Sequence, residues 1–472
     1  MDENTREELG LNRRDFIRGA AVGAMGIMPI FNLLGCSPSP SRGSANADSA
    51  DAKEADPSNA SASSGEWVDV LRSDDLMEKV LDEAEITEDV TCSDGTVIPA
   101  VYVRMRNRIN RIGRGIGSIP ADSTSWDMIK YLWSEEDAEN YLAMPLHEYF
   151  SAGDYAAVAG ISEEEASAIL EDQAARNLIW RVRRGGLALF VLMPYINGFW
   201  EFNELDALYH REEGKVAEFD TQGITGVDPH GESGFDNTFP LFRSYPVSVD
   251  VVEGDKLAPY HDWRALIKRN STITVSACQC RTMWNALGVP YPEEHPHRTC
   301  LSLGEMAEYF IENEIGEQIT QDEAISIVED IIDKGMVVES ICAKDADIIC
   351  CCHSQSCGNL MAYRGINGEG ACSTYYNAYL LKYDSSACTK CGTCVNICPM
   401  TSISFGDDGF CVMDKACVRC GQCVRVCPAH ARILTENPSY PELPADYVEC
   451  NKYFAKDRMQ RGQLVDFTDT TL

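Results

Sequence analysis

At 472 residues, 44% hydrophobic and 24% charged, the chain has the composition of a soluble globular protein of two or three domains. Its formal charge of −34 repels phosphate backbones and excludes non-specific nucleic-acid binding. The 21 cysteines are not spread as in a small disulfide scaffold; most crowd between Cys278 and Cys427 at two- and three-residue spacings, which points to metal.

Residues 12–18 read NRRDFIR, with Arg13 and Arg14 paired ahead of Phe16 and Ile17. A mildly apolar stretch follows from Gly19 to Leu34, broken by glycines and Pro29, too short and glycine-rich for a membrane span. This pattern resembles a twin-arginine (Tat) signal peptide, and Leu33-Leu34-Gly35-Cys36 resembles a lipobox whose cysteine is lipidated. The resemblance implies export of an already folded protein to the extracytoplasmic face of the cytoplasmic membrane, held there by lipid on Cys36. A plain cleavable signal or an uncleaved anchor is the other reading of Cys36. Residues 37–65 are Ser, Ala, Asp and Pro with almost nothing large and apolar, the composition of a disordered tether.

Between 66 and 245 the spacing predicts a helix over Trp126–Leu142, a second around Tyr155–Val158 ending at Gly160, and a third opened by a capping box, Ser162 to Glu165. The buried face of the third would carry Ala166, Ile169, Leu170 and Ala174. Leu178–Val182 and Leu187–Val191 flank Gly185-Gly186, a hairpin turn pair. Three helices and a hairpin resemble a winged helix. The would-be recognition helix offers Glu163, Glu164, Glu165, Glu171 and Asp172 where a reader of bases needs Arg, Asn or Gln, so a scaffold or docking module is the expected role. GRGIGS at 113–118 is a weak glycine-rich match preceded by a segment too basic for a buried strand.

In the middle region, 246–378, Val275-Ser276-Ala277 leads into Cys278, Cys280 and Arg281, and Cys300 precedes a helix predicted over Leu303–Glu314. Thr320 to Glu323 is a further capping box, opening a helix that Gly335 stops. Ile348-Ile349 then runs into Cys350-Cys351-Cys352-His353, with Cys357 following. Thiols at i and i+2 on a strand end can share one metal, and Arg281 would offset its negative charge. His295, His297 and His353 are further candidate ligands. A third Fe–S cluster, zinc, or disulfides are the open alternatives for this group. Cys92, Cys342, Cys372, Cys411 and Cys450 have no evident partner and read as packing residues or, where exposed, disulfides.

Residues 388–399 read CTKCGTCVNICP and residues 417–428 read CVRCGQCVRVCP, the same C-x2-C-x2-C-x3-C-P pattern 29 residues on (388 to 417). Three cysteines at two-residue intervals wrap a loop around one iron–sulfur cube, and the fourth reaches the other cube. This duplication resembles the bacterial two-cluster ferredoxin. It implies one [4Fe–4S] cluster on Cys388, Cys391, Cys394 and Cys427 and another on Cys417, Cys420, Cys423 and Cys398. Two zinc sites are the alternative for eight thiolates. Between the halves, strands are expected at Ser402–Phe405 and Phe410–Met413.

From about 110 to 436 the chain is also similar to anaerobe proteins that join a winged helix, a CxCR motif, a lone cysteine before a helix and a CxCC-type group to a C-terminal two-cluster ferredoxin. Those positions here are Cys278, Cys280, Arg281, Cys300, Cys350 and Cys352; His353 stands where the family has a further cysteine. The expected fold is α+β: a winged-helix-like domain (66–245), a mixed Cys-rich α/β middle domain (246–378), a 2[4Fe–4S] ferredoxin domain (379–440) and a C-terminal tail (441–472). The expected function is electron transfer between the clusters and a membrane or periplasmic reductase or dehydrogenase, with no nucleic-acid partner. An Fe–S oxidoreductase with its own substrate site at the middle cysteines and a redox-sensing interaction module are the alternatives.

Overall fold

A computed structural model describes residues 87–460 except 92–96, 113–124, 147, 212–215, 217–241, 249, 251, 253–256, 369–377, 410, 414–415 and 441. The export signal with Arg13, Arg14 and Cys36, the tether, residues 113–118, Cys92 and Cys372 lie outside the described residues. Among the described residues no helix is long and apolar enough to cross a membrane.

A short pair, β1 (Val90–Thr91) and β2 (Val97–Ile98), precedes α1 (Ala100–Ile112). The single helix expected over Trp126–Leu142 is two, α2 (Ser125–Leu132) and α3 (Glu135–Leu142). Ser134 is the reason: it takes an extended conformation, its hydroxyl accepts from the Asp137 N–H, and the Asp137 carboxylate accepts from its own N–H. Strand β3 (Phe150–Ser151) leads into α4 (Ala152–Ala159), which Gly160 ends in the left-handed conformation (φ 71°), and α5 (Glu163–Ala175) follows. Ser162 caps α5 through the Glu165 N–H at 3.2 Å, and Ala166, Leu170 and Ala174 are buried along it. Strands β4 (Ile179–Arg184) and β5 (Leu187–Leu192) turn through Gly185 and Gly186, both at positive φ, in a three-stranded antiparallel sheet ordered β3-β5-β4. A π turn at Tyr195–Phe199 opens α6 (Trp200–His210).

The centre of the molecule is a six-stranded antiparallel sheet ordered β6-β10-β11-β8-β7-β9. Its strands are β6 (Phe242–Tyr245), β7 (Ile273–Ala277), β8 (Arg298–Leu303), β9 (Glu317–Gln318), β10 (Val337–Ile341) and β11 (Ile348–Cys352). Strand β6, from the segment read as the first domain, therefore belongs to this sheet, paired with β10. The helices between are α7 (Trp263–Arg269), α8 (Gln279–Leu287), α9 (Glu305–Glu312), α10 (Gln321–Asp333) and, after the sheet, α11 (Gly358–Gly368). Leu303 closes β8 instead of starting α9; Gly304 separates them at φ 57°, where a Cβ would lie 2.8 Å from Asn270 Oδ1. Thr320 and Glu323 complete the capping box of α10.

The last unit holds β12 (Tyr379–Tyr383), α12 (Thr393–Ile397), β13 (Ile403–Phe405), β14 (Cys411–Met413), α13 (Gln422–Arg425) and β15 (Arg432–Glu436), with β12 paired to β15 and β13 to β14. The expected tail contains α14 (Tyr447–Gln460), which packs on α1, and Tyr447 meets Trp180 edge to face at 5.5 Å.

One buried hydrogen-bond junction ties the first unit to the central sheet. Tyr309 on α9 donates its hydroxyl toward the Ala174 and Ile179 carbonyls and Asn177 Oδ1 at 2.8–3.2 Å, and Asn313 donates to Ala174 and Asn177. Asn177 sits at φ 59°, so its backbone turn and its side chain are used together. Tyr309→Phe leaves these acceptors short of a donor and should lower stability by about 1–2 kcal/mol, read from the shift in the chemical denaturation midpoint.

Candidate iron–sulfur centre and a second cysteine group

The two ligand loops repeat backbone conformation as well as cysteine spacing. Lys390, Gly392 and Thr401 have positive φ (57°, 75° and 49°), and so do Arg419, Gly421 and His430, each 29 residues on (53°, 84° and 50°). Lys390 N–H donates to Cys388 Sγ at 3.3 Å and Arg419 N–H to Cys417 Sγ at 3.4 Å. Ser402 N–H reaches Cys398 Sγ at 3.4 Å and Ala431 N–H reaches Cys427 Sγ at 3.3 Å, again matching positions. Gly392 and Gly421 cap the short helices α12 and α13, which carry the third cysteine of each loop, Cys394 and Cys423. At Gly392 a Cβ would come within 2.7 Å of the Phe405 ring, so both the torsion and the space require glycine.

Cys388, Cys391, Cys394 and Cys427 line one cavity, together with Tyr383 and Arg432. The Arg432 guanidinium lies over the Tyr383 ring at 4.5 Å on the cavity wall. Cys391 is exposed, so this thiol set reaches the surface, and the Thr393 hydroxyl and backbone hold its thiol below the usual range. The second set, Cys398, Cys417, Cys420 and Cys423, lies deeper: Cys420 and Cys423 are buried. Burial pushes the Cys420, Cys423 and Cys398 thiols up, and the neighbouring cysteines of the set push the same way. Such thiols ionise only against a bound cation, the condition that iron supplies. Soft sulfur donors, N–H groups aimed at sulfur, and a cavity between four thiols all fit an iron–sulfur cube.

The middle cysteines converge from three elements. Cys278 caps α8 and Cys280 lies in its first turn, Cys350 and Cys352 share one face of β11, and Cys357 precedes α11. The thiols are in side-chain contact in the order Cys278, Cys280, Cys357, Cys352, Cys350. Cys300, on β8, is buried with Cys350 and Cys278 as electrostatic neighbours, and Gln279 Nε2 donates to its sulfur at 3.5 Å. Arg281 is fully buried behind them; its guanidinium donates to Pro296 O, Thr299 Oγ1 and Cys351 O at 2.6–2.8 Å.

The three histidines are hydrogen-bonded elsewhere. His297 Nε2 pairs with Thr282 Oγ1, His295 Nδ1 with Ser356 Oγ, and His353 Nδ1 accepts from the Gln355 N–H. Burial and Arg281 lower His353 and His295 to about 4, so both rings are neutral at pH 7. Sequence reasoning missed Glu339 on β10. It is fully buried, and its carboxylate lies within 4.8 Å of the Cys352 and Cys357 sulfurs. A lone glutamate inside a hydrophobic strand, VVES, was the available signal.

Residues 380–428 match the family described as 4Fe-4S dicluster domain. No curated protein and no solved structure matches the chain. The matched segment is a ferredoxin-like, metal-binding domain of the iron–sulfur electron-transfer class, supporting at least one [4Fe–4S] cluster in an α+β protein.

Gly392→Ala should reduce iron and acid-labile sulfide in protein purified without oxygen. Gly153→Ala, whose Cβ would meet nothing closer than 3.6 Å, should leave both unchanged.

Proposed function

We propose that the chain relays single electrons, through two [4Fe–4S] clusters, to or from a partner oxidoreductase outside the cytoplasm. The carrying observation is the 29-residue repeat of positive φ and N–H to sulfur bonds, which treats both thiol sets alike. The eight ligands are Cys388, Cys391, Cys394 and Cys427 for one cluster and Cys417, Cys420, Cys423 and Cys398 for the other. Each cluster, when bound, supplies a one-electron couple whose potential is set by burial and hydrogen bonds to sulfur.

The residues around the two sets divide the task. Cys391 is exposed and Phe405, over Gly392, is half exposed, so the first set faces the surface where a partner would dock. The second set faces inward, against the central sheet: Val247 N–H donates to Cys420 O at 2.9 Å, and Gln422 Nε2 donates to the Ile332 and Met336 carbonyls. The chain's charge of −34 suits a partner with a basic face.

The helix, strand, two helices and hairpin in the first unit, with sheet order β3-β5-β4, support reading it as winged-helix-like. Its hairpin arginines are held internally. Arg181 and Arg183 pair with Glu171 and Glu312, and Arg184 pairs with Glu305. Cations engaged in this way are not offered to phosphate, which supports a docking role and no nucleic-acid partner. The Tat-like signal and Cys36 motif place the protein, in this proposal, at the extracytoplasmic face of the membrane, lipid-anchored, with a membrane or periplasmic reductase or dehydrogenase as partner.

Protein purified without oxygen should carry iron and sulfide at about eight each in the ferredoxin module, with interacting paramagnetic signals on reduction. Cys394→Ala should halve that content. Colourless, sulfide-free protein would overturn the proposal. Replacing Arg13 and Arg14 together by lysine should leave the protein in the cytoplasm of its host, as fractionation and immunoblotting would read.

A further inference from the structure

We propose that the central domain holds one mononuclear divalent metal ion of the zinc class, on Cys280, Cys352 and Cys357 with Glu339 as the oxygen ligand. This goes beyond the electron relay, which concerns the ferredoxin module alone.

Spacing decides between a single ion and a cube. Thiolates on one tetrahedral ion sit roughly 3.8 Å apart, given a metal–sulfur bond of about 2.3 Å. Cys352 Sγ, Cys357 Sγ and a Glu339 carboxylate oxygen are all buried and lie within 4.8 Å of one another. The Cys280 thiol, hydrogen-bonded to that of Cys357, is the neighbouring donor outside this close group of three and would close on the ion to complete the set. Among the described residues the ferredoxin cysteines form no group so tight; Cys388, Cys391, Cys394 and Cys427 stand around a cavity instead. The same chain thus carries thiols spread around a cavity in one place and a group at single-ion spacing in another.

The donor set is chemically consistent. Three thiolates and one carboxylate make a closed four-coordinate set for a borderline-soft cation, and binding releases the thiol protons to solvent. The bound centre would carry two net negative charges, and buried Arg281 supplies one compensating positive charge. Cys278 and Cys350 flank the ligands, and among the described residues no histidine nitrogen joins the close group of Glu339, Cys352 and Cys357, so oxygen, not imidazole, completes the shell.

Position gives the ion a task. It would join the start of α8, the end of β11, the middle of β10 and the start of α11. The short loop between Cys352 and Cys357 presents Ser354, whose N–H and hydroxyl both donate to Pro399 O, at 3.1 and 2.6 Å, next to the ligand Cys398. The ion would therefore set the platform on which the deeper thiol set rests.

The test is elemental analysis of the full chain, purified without oxygen, with acid-labile sulfide counted alongside. Expected is one zinc per chain, with iron and sulfide equal to each other. Cys352→Ser and Cys357→Ser should each lose the zinc and keep the iron-to-sulfide ratio, while Cys300→Ala should keep both. Wild-type protein refilled with Co²⁺ should show thiolate-to-cobalt charge-transfer bands, a readout that needs no variant to fold. In Glu339→Gln the ligand-field bands should shift. A zinc-free protein with about four extra irons and four extra sulfides would mean a third cube and overturn the assignment. Zinc-free protein with no such excess would overturn it equally. Loss of ferredoxin iron alone would count against the relay and leave the zinc result standing.

Discussion

Each ferredoxin loop turns so that the backbone N–H two residues past its first cysteine points at that cysteine's sulfur. A second N–H, four residues past the loop's last cysteine, does the same. Negative charge gathered on sulfur inside a protein needs the positive ends of dipoles nearby, and the chain supplies them from its own backbone. The cost is local strain. Lys390, Arg419, Thr401 and His430 adopt left-handed torsions that residues other than glycine seldom take. Such torsions persist only where the surroundings hold them, so the packing of this module is part of its redox chemistry.

That packing comes largely from the central sheet. Gln422 and Arg425 on α13 donate to the carbonyls closing α10, and Arg425 also pairs with Asp333 at 3.0 Å. Gly335 ends α10 at φ 79°, and a Cβ there would lie 2.9 Å from Ile397. Ser354 fixes Pro399, and Val247 fixes Cys420. The deeper thiol set is thus enclosed on the side away from solvent, while Cys391 stays exposed. In the proposed relay this asymmetry would leave one thiol set accessible and the other shielded, in surroundings of different polarity.

The first unit contributes a rigid lateral support. Its arginine-rich hairpin lies on α5 and α9 through pairs that share acids, Glu171 and Glu312 each serving both Arg181 and Arg183. Arg181 is nearly buried, so its pairs are worth more than surface contacts, while Glu171 and Glu312 each keep Arg183 as a second partner. Tyr447 against Trp180 brings the C-terminal helix onto the same surface.

What the sequence determined by itself was local. The C-x2-C-x2-C-x3-C-P duplication, the Gly185-Gly186 turn, the Ser162 and Thr320 caps and the β13–β14 hairpin follow from neighbours a few residues apart, where short-range geometry dominates. Ser134 splitting one helix in two was equally local, but its cap competed with an unbroken apolar spacing that read as continuous. Tertiary structure alone decided that β6 joins the central sheet, that Cys357 and not Cys300 completes the close thiol group, and that Glu339 faces it. Strand pairing links residues about a hundred positions apart, and no local periodicity encodes which buried carboxylate will meet which sulfur. Those meetings are set by sheet register, because a one-residue slip in β10 would turn Glu339 to the opposite face.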